Sequence, residues 1–314
     1  MAITNFTSGG RLASFDRLLC TEEATAGIKD QLVFLSVVHI VLSISAFLGN
    51  ALIQVALHKE SSLHPPTKLL LRTLSASDLF TGVIGHPIAV ILLLSLAKER
   101  WNICLYAINT ATPVWYFLGK VSLFILTVIS VDRLLALLLK LRYRQVVTLK
   151  RTWVTVITIC TLSTIPSTMY FWNENISMWF GTMVTALCLL ISAFSYAKIF
   201  FKLRQHHSRA HDQALQQPAS LACQLNIARY RKAVYNALWL QLTLVVCYLP
   251  YGIAEVLWLI QEREFSSSMY LAAYIAVTFT LLNSSLNPIL YCWKIREVRQ
   301  AVKVTLRHIL CLSS

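Results

Sequence analysis

The run ICLYAINTATPVWYFLGKVSLFILTVISVDRLLALLL, residues 103–139, is apolar along most of its length and carries the pair Asp132-Arg133 near its end. It is long enough to cross a bilayer, which takes about 20 predominantly apolar residues. Ionisable groups at membrane depth are rare, and those present are usually functional. The alternative is an interfacial pair, in which Arg133 reaches the headgroups and Asp132 neutralises it. The rest of the chain has to decide between the two.

The composition indicates an integral membrane protein. Of the 314 residues, 56% are hydrophobic and 13% are charged, and the mean hydropathy is +0.61. A soluble protein of this composition would expose too much apolar surface. The net charge of +14 could suggest nucleic acid. However, the basic residues form short clusters between apolar runs, as in cytoplasmic loops of membrane proteins, so we expect a lipid bilayer and no nucleic acid as the partner.

Seven apolar runs predict an all-α membrane protein, a seven-transmembrane helix bundle with a short amphipathic eighth helix. The polar segment 202–229 is predicted to be a mobile loop, and Pro87 is predicted to kink the second span. Three regions follow: an extracellular N-terminus at 1–31, the transmembrane domain at 32–292, and the amphipathic helix with the cytoplasmic tail at 293–314. Six of the predicted spans are 32–57, 69–96, 152–172, 178–201, 233–260 and 269–291, and the third lies in the apolar run 103–139 and ends at Asp132-Arg133.

The distribution of basic residues predicts the orientation. Of the 28 Lys and Arg residues, 21 fall on one side, which is then the inner side, 6 fall on the outer side and Lys120 is mid-span. The positive-inside rule then places the N-terminus outside the cell, at the plasma membrane. Asn5 and Asn175 lie in glycosylation acceptor tripeptides on the outer side. Cys20 and Cys104 also fall in outer segments and could pair.

Cys311 follows the basic amphipathic stretch at the inner face, where we expect palmitoylation.

The polar residues inside the spans are few, and each requires an explanation. Asp78 has no basic partner in its own span, and hydroxyl and amide groups of other spans lie at a similar depth. Such oxygens suit a small hard cation or a hydrogen-bonded network with water. The alternative is polar contacts that only hold the helices together. The candidate neighbours are Asn50, Ser122, Asn283, Ser284 and Asn287.

Lys120 lies roughly 20 Å from Arg133 at about 1.5 Å per helical residue, which is too deep to reach the headgroups easily. It could face a ligand cavity and favour an acidic group there. It could equally bond to backbone carbonyls, or reach Glu255 on the sixth span. Pro250 and Pro288 each leave a backbone carbonyl without its helical partner and are predicted to act as hinges.

Six motifs in chain order, each on a different span, resemble class A (rhodopsin-like) G-protein-coupled receptors. The resemblance implies that Asp132 holds Arg133 at rest and that an extracellular ligand favours outward movement of the sixth span. Arg133 then engages a heterotrimeric G protein, with Tyr196 and Tyr291 bridging behind it. The motifs are Gly49-Asn50, Leu74-Ser75-Ala76-Ser77-Asp78-Leu79, Asp132-Arg133-Leu134, Trp153, Cys247-Tyr248-Leu249-Pro250 and Asn287-Pro288-Ile289-Leu290-Tyr291.

The same resemblance assigns further sites. Tyr248, Pro250 and Leu244 stand at the family's switch, where Trp and Phe are usual in place of Tyr248 and Leu244. A sodium pocket is implied at Asp78, Ser122, Asn283, Ser284 and Asn287. A ligand pocket is expected at Trp115, Tyr116, Gly119, Lys120, Tyr248, Tyr251 and Glu255.

Departures from the family pattern predict weak restraint of Arg133 and measurable basal signalling. Leu134 replaces the usual Tyr, and Tyr230 stands where some members carry an acid that locks the arginine. The link after the fourth span contains no cysteine, so the usual outer disulfide cannot form. Leu281 in place of the retinal lysine argues against an opsin, and Trp115 in place of an aspartate argues against a monoamine ligand. An amphoteric or acidic small molecule, a peptide and a lipid remain open.

Two functional classes follow. The first is a receptor that transmits an extracellular ligand signal to a heterotrimeric G protein. The second is a seven-helix transporter or ion-translocating protein with Asp78, Lys120 and Asp132 as a relay, although we find no internal repeat of the kind common in transporters. We expect no enzymatic activity, because we find no phosphate loop or nucleophile elbow in the sequence.

Overall fold

A computed structural model describes residues 19–59, 63–216, 221–260, 266–294 and 296–311. Within these ranges, seven helices are long and apolar enough to cross a membrane. We number them as the first to the seventh membrane helix, and they confirm the predicted seven-helix bundle. They are Lys29–Lys59, Pro65–Ala97, Trp101–Leu139, Leu149–Met169, Glu174–Gln216, Leu221–Ile260 and Ser267–Lys294.

Shorter helices lie at the ends of the bundle. Glu22–Thr25 precedes the first membrane helix, and a 3₁₀ turn at Lys140–Arg142 leads into the single turn Tyr143–Val146. The predicted eighth helix is present at Arg296–Cys311 and packs against the first membrane helix. Its buried face includes Val298 at 0% exposure, which joins the main hydrophobic core.

The bundle places apolar side chains outside and many polar side chains inside. Phe34 and Val41 on the first helix and Leu190 on the fifth are more than 60% exposed, whereas Asn50 and Asp78 are fully buried. Water would penalise such an exterior, but lipid tails do not. The interior polar groups therefore have to find partners on neighbouring helices.

The predicted loop at 202–229 is wrong for the residues that the structure describes. The fifth helix continues to Gln216 and the sixth begins at Leu221. The segment is polar, and polarity indicates only that it leaves the hydrocarbon region. It contains no glycine, and Pro218 is its one proline, so its composition favours helix over most of its length.

The second membrane helix contains one turn of π-helix at Thr81–Gly85, directly before the predicted kink at Pro87. Proline has no N–H and its ring clashes with the carbonyl one turn earlier, and a π-turn relieves such a clash. Neighbouring helices bind the carbonyls of this turn. The Ser43 hydroxyl donates to the Gly82 carbonyl at 2.7 Å, and the Trp115 indole N–H donates to the last carbonyl of the turn at 3.1 Å.

Two glycines allow neighbouring helices to approach closely. A Cβ on Gly82 would lie 2.9 Å from the backbone nitrogen of Phe47, and a Cβ on Gly49 would lie 3.0 Å from Cγ of Pro288. Small residues at helix crossings serve this purpose in membranes. They fix the first helix against both the second and the seventh.

A disulfide joins Cys20 to Cys104, with the two Cα atoms 5.9 Å apart. The pairing that the sequence allowed is therefore present. Lys29 and Glu99 form an ion pair nearby, and the Ser267 hydroxyl donates to a backbone carbonyl of the short helix Glu22–Thr25 at 2.9 Å. We call this end of the bundle the disulfide end, and the opposite end, which carries Arg133, the arginine end.

Candidate functional site

At the arginine end, the Asp132 carboxylate is the centre of a small hydrogen-bonded group. It is 4% exposed and lies 3.3 Å from the Arg133 guanidinium, whose side chain is 45% exposed. The Tyr143 hydroxyl donates to the carboxylate at 2.6 Å, and the Thr67 hydroxyl donates to it at 3.4 Å. Arg133 also donates to Thr67 at 3.3 Å. Two hydroxyl donors and the guanidinium therefore fix the carboxylate, whereas nearly half of the Arg133 side chain stays exposed.

Sequence reasoning identified Asp132 and Arg133 but missed Thr67 and Tyr143. Tyr143 lies on the short turn after the third helix, and Thr67 lies in the first turn of the second helix. The only available signal was their position in polar links close to the membrane surface.

Tyr196 and Tyr291 are both buried, at 6% and 4% exposure. Tyr196 packs with Leu134 and Ile199 and lies beside Ser130. The Tyr291 hydroxyl has no hydrogen-bond partner among the described residues. Neither tyrosine forms a hydrogen bond with Arg133 here, so the bridging arrangement that the resemblance implies stays a prediction.

In the middle of the bundle, Asp78 is fully buried and bonds to two other helices. Its carboxylate accepts from the Ser122 hydroxyl at 3.1 Å and from the Asn287 amide at 2.8 Å. Ser284 lies beside the same carboxylate. Asn283 is 1% exposed, and its amide nitrogen has no partner in the described part of the chain. The structure therefore brings the Asp78, Ser122, Ser284 and Asn287 side chains together from three helices.

Side chains of other helices bind backbone carbonyls just before both hinge prolines. The Asn50 amide donates to the Ser284 carbonyl, one turn before Pro288, at 2.9 Å. The Thr280 hydroxyl donates to the Cys247 carbonyl, close to Pro250, at 3.1 Å. Both proline-containing helices stay continuous. Asn50 thus binds the carbonyl that Pro288 leaves without its helical partner, and Thr280 binds a carbonyl next to the one that Pro250 releases.

The switch residues Leu244 and Tyr248 are 3% exposed and belong to the main hydrophobic core. The Tyr248 hydroxyl lies 3.5 Å from the Gly119 carbonyl on the third helix. Tyr248 is also a wall of the pocket described next. A group inserted into that pocket would therefore touch the sixth helix two residues before Pro250.

Two adjoining cavities open from the disulfide end into the bundle. The deeper one has a cavity volume of about 30 Å³ and the outer one about 120 Å³. They share Trp115, Tyr116, Tyr251 and Val277 as walls. All seven residues predicted for the ligand pocket line one cavity or both, although ligand binding itself stays a prediction.

The sequence left open whether Lys120 faces a ligand cavity, bonds to backbone carbonyls or reaches Glu255, and the structure shows the first two together. Its ammonium donates to the Gly181 carbonyl at 2.9 Å and to the Thr185 hydroxyl at 2.6 Å, and it also lines the deeper cavity. Glu255 accepts from the Tyr116 hydroxyl and from the Thr182 hydroxyl, each at 2.9 Å. Both charged groups are thus buried and hydrogen-bonded to neutral groups.

A buried histidine pair was missed by the sequence reasoning. The Nδ1 atoms of His39 and His86 are 2.8 Å apart, and His39 Nε2 lies 3.1 Å from the Thr278 hydroxyl. These residues join the first, second and seventh helices. The sequence does place one histidine in each of two apolar runs. It does not show, however, that the helix faces carrying these histidines pack against each other.

Two of the three predicted modification sites lie outside the part of the chain that the structure describes. Asn5 lies outside the described residues, and so does the side chain of Cys311. Asn175 is exposed in the first turn of the fifth helix, and the Ser177 hydroxyl of its acceptor tripeptide donates to the Pro166 carbonyl at 2.7 Å. Glycosylation and palmitoylation stay predictions.

A seven-helix bundle with an aromatic pocket at one end and a buried acid beside a half-exposed arginine at the other defines a membrane receptor. The family described as 7 transmembrane receptor (rhodopsin family) matches residues 49–177 and 160–291. The chain belongs to this family. It is therefore a multi-pass membrane protein and a G-protein-coupled receptor, and the transporter alternative is not favoured.

Similar proteins support the same class. The chain is 24% identical to Probable G-protein coupled receptor 45 of Homo sapiens, over 90% of this chain and 86% of that protein. It is 25% identical to High-affinity lysophosphatidic acid receptor of Xenopus laevis, over 85% and 80%. It is 23% identical to Adenosine receptor A3 of Canis lupus familiaris, over 88% and 92%.

Proposed function

We propose that this receptor lies in the plasma membrane with its N-terminus outside the cell. In this proposal it takes an extracellular ligand in the pocket at the disulfide end and activates a heterotrimeric G protein at the arginine end. It acts as a receptor rather than as an enzyme. The observation that supports this most directly is the Asp132-Arg133 pair, in which the acid is buried and the arginine is half exposed.

The proposed mechanism is an equilibrium between a resting and an active state. In the resting state, Arg133 stays beside Asp132. A ligand that contacts Tyr248 favours movement of the sixth helix about Pro250, which opens the arginine end. Arg133 then leaves Asp132 and contacts the G protein, so ligand and G protein each favour the state that the other binds.

A sodium ion beside Asp78 is part of the proposed resting state. The carboxylate and the hydroxyl and amide oxygens around it are ligands that a hard cation accepts. Sodium should raise the melting temperature of the purified receptor relative to an equal concentration of choline. Asp78→Asn should remove that difference, and an unchanged sodium effect in this variant would contradict the assignment.

An arginine substitution tests the proposed role of the arginine end. Arg133→Ala should reduce basal nucleotide exchange on the G protein to the level of membranes that lack the receptor. Arg100→Ala removes an exposed arginine at the disulfide end and serves as the matched control. The assay is run across the main G-protein classes at equal receptor density. Retained signalling by Arg133→Ala at normal surface expression would refute the mechanism.

The orientation has a separate test. An epitope tag at the N-terminus should be stained by antibody in intact cells, without permeabilisation. Staining only after permeabilisation would reverse the topology, and with it the assignment of the two ends.

A further inference from the structure

The pocket carries opposite charges at different depths. Lys120 lines only the deeper cavity, whereas Glu255 lines only the outer one. Glu174 adds a second carboxylate to the walls of the outer cavity. A ligand that fills both cavities therefore meets carboxylates toward the disulfide end and an ammonium below them.

Both buried charges lie close to Gly181 on the fifth helix. A Cβ at this position would lie 3.6 Å from Lys120 Nζ and 3.7 Å from Glu255 Oε1. In the described part of the chain, no ion pair within 4.0 Å joins these two groups. Each group is hydrogen-bonded to neutral groups instead, and the two opposite charges attract each other without direct contact.

The Lys120 ammonium has one N–H donor more than its two hydrogen bonds use. An ammonium has three N–H donors, and two of them are used on the Gly181 carbonyl and the Thr185 hydroxyl. The third is available to an acceptor in the deeper cavity. The pocket walls between the charges are aromatic, with Tyr116 and Tyr251 lining both cavities.

We infer that the pocket binds a dipolar ligand, with an acidic group at Lys120, a basic group near Glu255 and Glu174, and a flat apolar body between them. Lys120 and Glu255 are both buried, so a ligand that contacts each of them with a group of opposite charge stabilises both, whereas a ligand with one charge stabilises only one of them. This inference rests on the proposed function and narrows the ligand classes that the sequence left open.

Three matched probes test the inference on the purified full-length receptor. They are 4-(aminomethyl)benzoate, which carries both charges, 4-methylbenzoate, which carries only the acid, and 4-methylbenzylamine, which carries only the base. Thermal stability is measured against probe concentration to give an apparent Kd. We expect the dipolar probe to bind at least about tenfold more tightly than either analogue, as truncation of one buried charge partner usually costs this much or more.

Substitutions then assign the contacts. Lys120→Met should remove the advantage of the dipolar probe over the amine, and Glu255→Gln should remove its advantage over the acid. Lys198→Met, at an exposed position, should leave all three affinities unchanged. The inference is overturned if an analogue binds the wild-type receptor as tightly as the dipolar probe, or if none of the three stabilises it. No G protein is present, so this failure is distinct from failure of the signalling mechanism.

Discussion

Removal of one hydroxyl at the arginine end should raise basal signalling. Tyr143→Phe deletes the hydroxyl that donates to Asp132 at 2.6 Å and keeps the ring, which packs against His64 with centroids 5.2 Å apart. The perturbation is therefore confined to one hydroxyl, which also interacts with the Thr67 side chain. If that bond belongs to the resting state, its loss favours the active state.

The size of the effect follows from the environment of the bond. Hydrogen bonds to charged groups contribute about 1.5–3 kcal/mol to stability. Tyr143 is partly exposed, so water can replace part of the interaction and the lower end of this range applies. A difference of about 1.4 kcal/mol is a factor of about ten in an equilibrium constant. Basal output should rise by up to about tenfold while the active state remains a minor population.

The assay is nucleotide exchange on the G protein, without ligand, in membranes with equal receptor density. Tyr106→Phe is the matched control, because Tyr106 is 79% exposed and lies near the disulfide end of the third membrane helix. Basal output of Tyr143→Phe equal to or below wild type, at equal surface expression, would refute the reasoning. It would mean that the Tyr143 bond is kept in both states or belongs to the active one.

Two further predictions concern stability. Gly82→Ala should lower the free energy of unfolding by about 1–3 kcal/mol, because its Cβ would lie 2.9 Å from a backbone nitrogen. Gly252→Ala is the control, because a Cβ there meets nothing within 4 Å. Equal melting temperatures of the two variants would contradict the close approach at Gly82. Cys104→Ser should destabilise the receptor by about 2–4 kcal/mol and Cys20→Ser by the same amount. The double variant should then have the same melting temperature as either single variant. A double variant that loses the sum of the two single losses would argue against the pairing.

Hydropathy predicted the number and order of the membrane helices because lipid demands long apolar runs. It placed their ends less well, since a helix continues into the polar layer where hydropathy falls. The first helix begins at Lys29, before the predicted start at residue 32. The extension of the fifth helix to Gln216 shows the same limit. Helix propensity, rather than polarity, was the relevant signal there.

The pocket and polar-core residues were predictable because sequence motifs specify their depth and helix. The partners of Asp132 were not, since Tyr143 lies on a separate turn beyond the membrane helix. The pairing of His39 with His86 depends on how two helices rotate about their own axes, and periodicity does not determine rotation between helices. The disulfide was allowed by topology, but only the packing of the disulfide end shows that the two cysteines meet.

The π-turn at Thr81–Gly85 has a consequence for comparing this chain with others. One residue more or less in that turn rotates every later side chain of the second helix by about 100°. A relative with an unbroken α-helix here would present a different face from His86 onward if residues were matched by counting. An alignment has to open a one-residue gap at this turn, and correspondence beyond it follows spatial position rather than sequence number.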